Sequence, residues 1–218
     1  MVSNAHLDTQ WNWDVQTTIN DYIPKTLHQN LWLIGHYPDY VFNFEGAVKY
    51  NWMKEYYPLE YERVCKAVRE GRWHVSGSSW DANDTNIPSP ESVFRNILLG
   101  QEFYKKEFGL KSTDIFLPDC FGFSYVLPSV AAHCGLIGFS TQKLGWRKHP
   151  FYDGKREPFP IGMWQGVDGA AIQCAFDCGS YVYNFPEGDL TKDPDLIARA
   201  KRGADNTAYR YFGAGDTG

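Results

Sequence analysis

Short apolar runs alternate along this chain with longer stretches in which apolar residues recur at three- and four-residue intervals, the spacings of strands and amphipathic helices. The opening MVSNAH has the character of a strand tail. Val15, Ile19, Tyr22, Ile23 and Leu27 keep helical spacing, with Pro24 placed to kink the helix. YVFNF, residues 40–44, predicts a strand; NWMKEYY and EYERVCKAVREG predict two helices, the second closed by Gly71. RWHVSG predicts a strand, and Ser76-Gly77-Ser78-Ser79 begins a long loop. Pro90 opens a helix that runs to Gly109, with Glu91 in its first turn. Then come a strand in DIFLP, a short helix in SVAAHCG, a strand in LIGFST, a strand pair in IGMWQGV and AAIQCAF, a helix in DPDLIARAKRG and a final strand in AYRYFG.

Strand–helix alternation predicts an α/β fold with a mainly parallel sheet, closed as a barrel or open. The polar residues that carry chemistry share one property in this scheme. His6 and Asp8 follow the first strand, Trp80 and Asp84 a later one, Asp119 follows DIFLP, Lys143 follows LIGFST and Asp216 follows AYRYFG. Parallel strands bring their carboxyl ends to one face, so these distant residues can converge there. The first strand lacks a lead-in and YFGAGDTG stops within a glycine-rich loop, so residues 1–218 are expected to be most of one domain of a longer protein.

Composition narrows the function. A net charge of −5 without a basic stripe argues against a nucleic-acid partner. No apolar run approaches the ~20 residues of a membrane-spanning helix, and no basic segment followed by an apolar one marks a signal peptide, which leaves compartment and oligomeric state open. Cys65, Cys120, Cys134, Cys174 and Cys178 are odd in number and form no C-x-x-C pair, so they are expected as reduced or structural thiols. Aromatic residues are abundant, with 8 Trp and 14 Tyr, beyond what a core of this size needs; the surplus suits stacking on sugar rings.

Three segments suggest a chemistry. On an extended backbone His6 and Asp8 point the same way, so an imidazole and a carboxylate can meet one cation; a mixed N/O set suits zinc, manganese or cobalt. In LPDCFGFS, Asp119 lies between a strand end and an apolar loop, where a nearby cation would offset its desolvation; the alternative is a turn-forming Asp. FGAGDTG lacks the Lys and the spacing of phosphate-binding loops, and an acid at its centre would repel phosphate. Asp216 therefore reads as a catalytic carboxylic acid over a neutral substrate.

AHLDTQWNW, LPDCFGFS and YFGAGDTG, together with SGSSWDANDTNIPSPES, STQKLGW and MWQGVDG, resemble in content and order the signature blocks of glycoside hydrolase family 38, the zinc-dependent α-mannosidases. The resemblance spans nearly the whole chain. It implies a seven-stranded β/α barrel as an N-terminal catalytic domain, and retaining hydrolysis of terminal α-linked mannose from oligosaccharides or glycans. It implies His6 and Asp8 as ligands of one zinc ion, Asp119 as a nucleophile that also binds the zinc, and Asp216 as the acid/base. Trp11 matches an aromatic near the sugar subsite, and Trp80, Asp84 and Lys143 fall in blocks that line the substrate cleft. The family's second zinc-binding histidine falls downstream of residue 218, and none of His28, His36, His74, His133 and His149 sits in its block. Two alternatives are compatible with the same residues: a metal-dependent carbohydrate deacetylase, and a catalytically incomplete domain.

Overall fold

The computed structural model describes residues 2–145, 157, 159–182, 189–203 and 205–215. In chain order these form β1 (Val2–His6), α1 (Val15–Thr17), a π-helical turn (Thr18–Tyr22), α2 (Ile23–His36), β2 (Phe42–Glu45), α3 (Ala47–Tyr56), α4 (Pro58–Arg69) and β3 (Trp73–Ser76). They continue with α5 (Pro90–Phe108), β4 (Asp114–Phe116), α6 (Leu127–His133), β5 (Gly138–Ser140), β6 (Ile161–Gln165), β7 (Ala171–Ala175), α7 (Pro194–Ala200) and β8 (Tyr211–Gly215). The strand–helix alternation of the sequence is thus present, and Pro24 falls in the first turn of α2. The helical run widens into the π turn immediately before it, which accommodates a ring that can donate no hydrogen bond.

The strands form two sheets. One is wholly parallel, in the order β3-β2-β1-β8. The other has the order β4-β5-β7-β6, with β4, β5 and β7 parallel and β6 antiparallel to β7 as the outer strand. Two backbone hydrogen bonds run between the sheets: Ser78 N–H to the Asp114 carbonyl at 2.9 Å, and Tyr211 N–H to the Cys178 carbonyl at 3.1 Å. The architecture is therefore mixed α/β in two sheets, one of them mixed in direction, rather than one continuous ladder.

Each sheet has its own apolar core. Phe42, Phe44, Trp73 and Val75 of the first sheet pack with Leu27 of α2, Tyr50 and Met53 of α3 and Val64 of α4. Ile115, Phe139, Ile172 and Cys174 of the second pack with Val93 and Ile97 of α5 and with Val130 and Ala131 of α6. A third, smaller cluster joins them, with Phe116, Ala175, Cys178, Tyr181 and Tyr211 drawn from both sheets. Helix α5 approaches the loop after β3 so closely that a methyl group at Gly100 would lie 2.2 Å from the Ser78 carbonyl oxygen. All five cysteines are free thiols, and burial pushes Cys174 and Cys178 up to about 12, as befits inert structural positions.

Candidate active site

The site begins with register. Ala5 of β1 pairs with Phe44 of β2, so His6 and Glu45 end two neighbouring parallel strands side by side. His6 Nδ1 lies 2.9 Å from Glu45 Oε1, and both residues are buried, at 3% and 2% exposure. The same register continues on the other side, where His6 pairs with Gly215, the residue before Asp216. With Nδ1 engaged, the ring offers Nε2 to the face formed by the strand ends. That atom is buried and has no hydrogen-bond partner among the described residues. It stands 3.4 Å from Asp8 Oδ1 and 3.8 Å from Asp119 Oδ2.

Asp119 reaches this point from the loop after β4. Tyr181, in the irregular segment after β7, donates its hydroxyl to Asp119 Oδ2 at 2.6 Å and sets its ring edge-on to His6 at 4.9 Å between centroids. The Lys143 ammonium, from the turn after β5, lies against Asp119 Oδ1 and 4.3 Å above the Phe121 ring. Burial alone would push the His6 imidazole down. The neighbouring carboxylates of Asp8 and Glu45 outweigh it and raise the group to about 10. The strand ends thus bring the carboxylates of Asp8, Glu45 and Asp119 around one imidazole.

A cavity of about 220 Å³ opens here, lined by His6, Asp8, Asn83, Asp84, Asp119 and Phe121 among others. Of the residues singled out in the sequence, His6, Asp8, Asp84 and Asp119 line it. Lys143 joins them through its contact with Asp119. Asp84 also accepts the backbone N–H groups of Asn86 and Ile87, a turn-forming role within the same loop. Trp11 is 66% exposed and stacks edge-on against Trp13, outside the lining. Trp80 packs against Phe103 of α5, also outside the lining. Asp216 lies outside the described residues. Two site residues carried no motif in the sequence. Glu45 had a signal of the kind that marked Asp119, an acid directly ending the apolar run YVFNF. Tyr181 had none, because neither its spacing nor its neighbours set it apart.

Among the described residues, no three His, Cys, Asp or Glu side chains converge as a ready-made metal cage. The donor chemistry nevertheless fits a divalent ion. Two ligands about 2.1 Å from a tetrahedral ion lie roughly 3.4 Å apart, and His6 Nε2 and Asp8 Oδ1 are 3.4 Å apart. Nε2 is an orphaned buried nitrogen facing two carboxylates, and the Lys143 ammonium supplies part of the countercharge that an ion would supply. No other described histidine joins this site: His28 is on the surface beside Glu60, His36 stacks on Trp32, His74 is exposed on β3 and His133 pairs with Asp168. His149 lies outside the described residues.

Comparison with known proteins agrees with the sequence pattern. Residues 1–212 match the family model described as glycosyl hydrolases family 38 N-terminal domain. The chain is 37% identical to alpha-mannosidase G of Dictyostelium discoideum, over 100% of this chain and 19% of that protein. It is 31% identical to alpha-mannosidase 2C1 of Homo sapiens, over 99% of this chain and 20% of that protein. It therefore spans about a fifth of the length of these relatives. The crystal structure of an alpha-mannosidase from Enterococcus faecalis V583 superposes with a TM-score of 0.76 at 20% identity, covering 99% of this chain and 24% of that one, a likeness of fold.

Proposed function

The chain belongs to glycoside hydrolase family 38, and from that premise we propose that the protein is a retaining α-mannosidase that removes terminal α-linked mannose from oligosaccharides or glycans, with one zinc ion at the ends of its strands. The observation that carries this reading is the buried Nε2 of His6, without a hydrogen-bond partner among the described residues, with Glu45 holding the ring's other nitrogen and Asp8 and Asp119 facing it. His6, Asp8 and Asp119 would hold the ion. When bound, it would supply Lewis acidity and a template for neighbouring sugar hydroxyls, orienting the ring toward an oxocarbenium-like shape.

The chain's own residues account for the remaining steps. Tyr181 and Lys143 fix the Asp119 carboxylate from two directions and neutralise part of its charge. Held so, Asp119 attacks the anomeric carbon and the bond to the leaving oxygen breaks. Asp216, following the strand residue that pairs with His6, gives that oxygen its proton. It then takes a proton from the water that releases mannose from Asp119. Retaining enzymes place two such carboxyl groups ~5–5.5 Å apart. Phe121 and Asp84 shape the pocket wall, and the exposed indole of Trp11 offers an aromatic face for further sugar units.

This reading includes the closed form of the fold. A seven-stranded barrel in the order β1-β2-β3-β4-β5-β7-β8 is supported by the two backbone hydrogen bonds between the sheets and by the apolar cluster they share, with β6 left outside as an antiparallel edge.

Activity of the intact protein on an aryl α-mannoside, followed by NMR of the first-formed anomer, tests the assignment. α-Mannose as the first product and a loss of at least about a thousandfold in kcat in Asp119→Asn are expected. β-Mannose, released acetate from an acetylated sugar instead of mannose, or normal turnover in Asp119→Asn would contradict it.

A further inference from the structure

We propose that Glu45 is a positioning residue for His6, setting the orientation of its ring and so the direction in which Nε2 meets a metal ion. The inference rests on the metal-binding reading above and adds a residue to it. A carboxylate at 2% exposure is costly to bury unless paired, so its place at the end of β2 calls for a reason. Joining β1 to β2 does not supply one, because the parallel ladder from Ser3–Phe42 to Ala5–Phe44 already does that. The Glu45 hydrogen bond goes instead to His6 Nδ1, at 2.9 Å.

The consequence is geometric. An imidazole can flip about its bond to the side chain, exchanging nitrogen and carbon positions. With Nδ1–H held by Glu45, one orientation is selected, and Nε2 is the nitrogen left to face Asp8 Oδ1 and Asp119 Oδ2. Tyr181 packs edge-on against the same ring, at 4.9 Å between centroids. Fixing of this kind by an outer carboxylate also raises the basicity of the free nitrogen.

Two readouts on the intact protein test the inference. The first is zinc affinity by competition with a chelator for the wild type, Glu45→Gln and Glu45→Ala. Expected are losses of about tenfold in Glu45→Gln, whose amide oxygen still accepts from Nδ1–H, and about a hundredfold in Glu45→Ala. The second needs no metal: crystal structures of the metal-free variants, with the His6 ring displaced in Glu45→Ala and held in Glu45→Gln. A role confined to stability would lower Tm in both variants and leave zinc affinity unmoved. Wild-type zinc affinity in Glu45→Gln, or an unmoved ring in Glu45→Ala, overturns the inference. Should Glu45→Ala fail to fold, Glu45→Gln decides alone. A wild type that takes up no zinc while the ring turns in Glu45→Ala would overturn the metal reading and leave the orienting role of Glu45 standing.

Discussion

At the scale of single residues, the site is a set of unlike groups crowded around one carboxylate. Asp119 receives a hydroxyl hydrogen bond on Oδ2 and an ammonium on Oδ1, and its neighbour across the gap is an imidazole nitrogen with no hydrogen-bond partner among the described residues. A hydroxyl donating at 2.6 Å to a charged oxygen belongs to the stronger class of hydrogen bonds. Tyr181→Phe removes it without emptying the space. The expected result is a fall in kcat of about 10- to 100-fold, from the ~1.5–3 kcal/mol of such a bond, with little change in Tm; unchanged kcat would remove Tyr181 from the account. His6, Asp8 and Asp119 were legible in the sequence because their spacing and their setting after strands carry the information. Tyr181 was not, because its role depends on how an irregular segment folds back over the strand ends, which no local pattern encodes. Trp80, an indole in a block expected to line the cleft, is half-buried and packs edge-on against Phe103.

Among elements, what matters is how the loops at the strand ends are tied together. Lys49 in the first turns of α3 is fully buried, at 0% exposure, with its ammonium 3.3 Å from Asp81 Oδ1 in the loop after β3. Thr9, in the loop after β1, donates to Asp81 Oδ2 at 2.6 Å. The loops after β1 and β3 and the start of α3 thus meet on one carboxylate. Gly46 makes the room: a methyl group there would stand 2.7 Å from the Lys49 ammonium, at a backbone φ of +83° that favours glycine. The two ends of this pair are not equivalent. Asp81→Asn strands a buried ammonium and is expected to cost about 3–5 kcal/mol. Lys49→Met leaves Asp81 31% exposed and still bonded to Thr9 and the Ala82 N–H, and is expected to cost only about 1 kcal/mol. Urea unfolding of both variants checks the order; a Lys49→Met cost equal to that of Asp81→Asn would contradict it. The elements themselves were readable from periodicity and punctuation: α5 starts at Pro90 and stops before Gly109, whose φ of 71° ends it. Boundaries shifted where glycine hid a strand. AYRYFG pointed to a strand from residue 208, whereas β8 runs Tyr211–Gly215, because the glycines continue the ladder beside β1.

Over the whole molecule, the two sheets meet at a seam that carries a titratable group. Asp114, the first residue of β4, accepts from the Ser112 hydroxyl at 2.9 Å and from the Gly77 N–H at 3.2 Å, beyond the end of β3. Desolvation raises its carboxyl above the ordinary value, against the pull of the Ser112 hydrogen bond. A carboxyl raised on folding holds its proton more tightly in the folded state. Its contribution to stability is complete below the unfolded pKa of about 3.9 and is lost as pH rises through the higher folded value. Asp114→Asn should therefore gain stability relative to the wild type as pH rises from about 4 toward neutrality. Parallel urea titrations across that range check it, and a difference independent of pH would contradict it. The alternation of strands and helices announced an α/β fold in the sequence; the division into two sheets depends on contacts between residues far apart in the chain, which periodicity does not record. The convergence of His6, Asp8 and Asp119 at the strand ends is what the proposed chemistry requires, and a crystal of the intact protein grown with zinc tests it most directly. Diffraction data recorded at the zinc absorption edge should give an anomalous peak about 2.0–2.2 Å from His6 Nε2 and from carboxylate oxygens of Asp8 and Asp119. A peak elsewhere, or none beside His6 in a protein that still cleaves α-mannosides, would contradict the account.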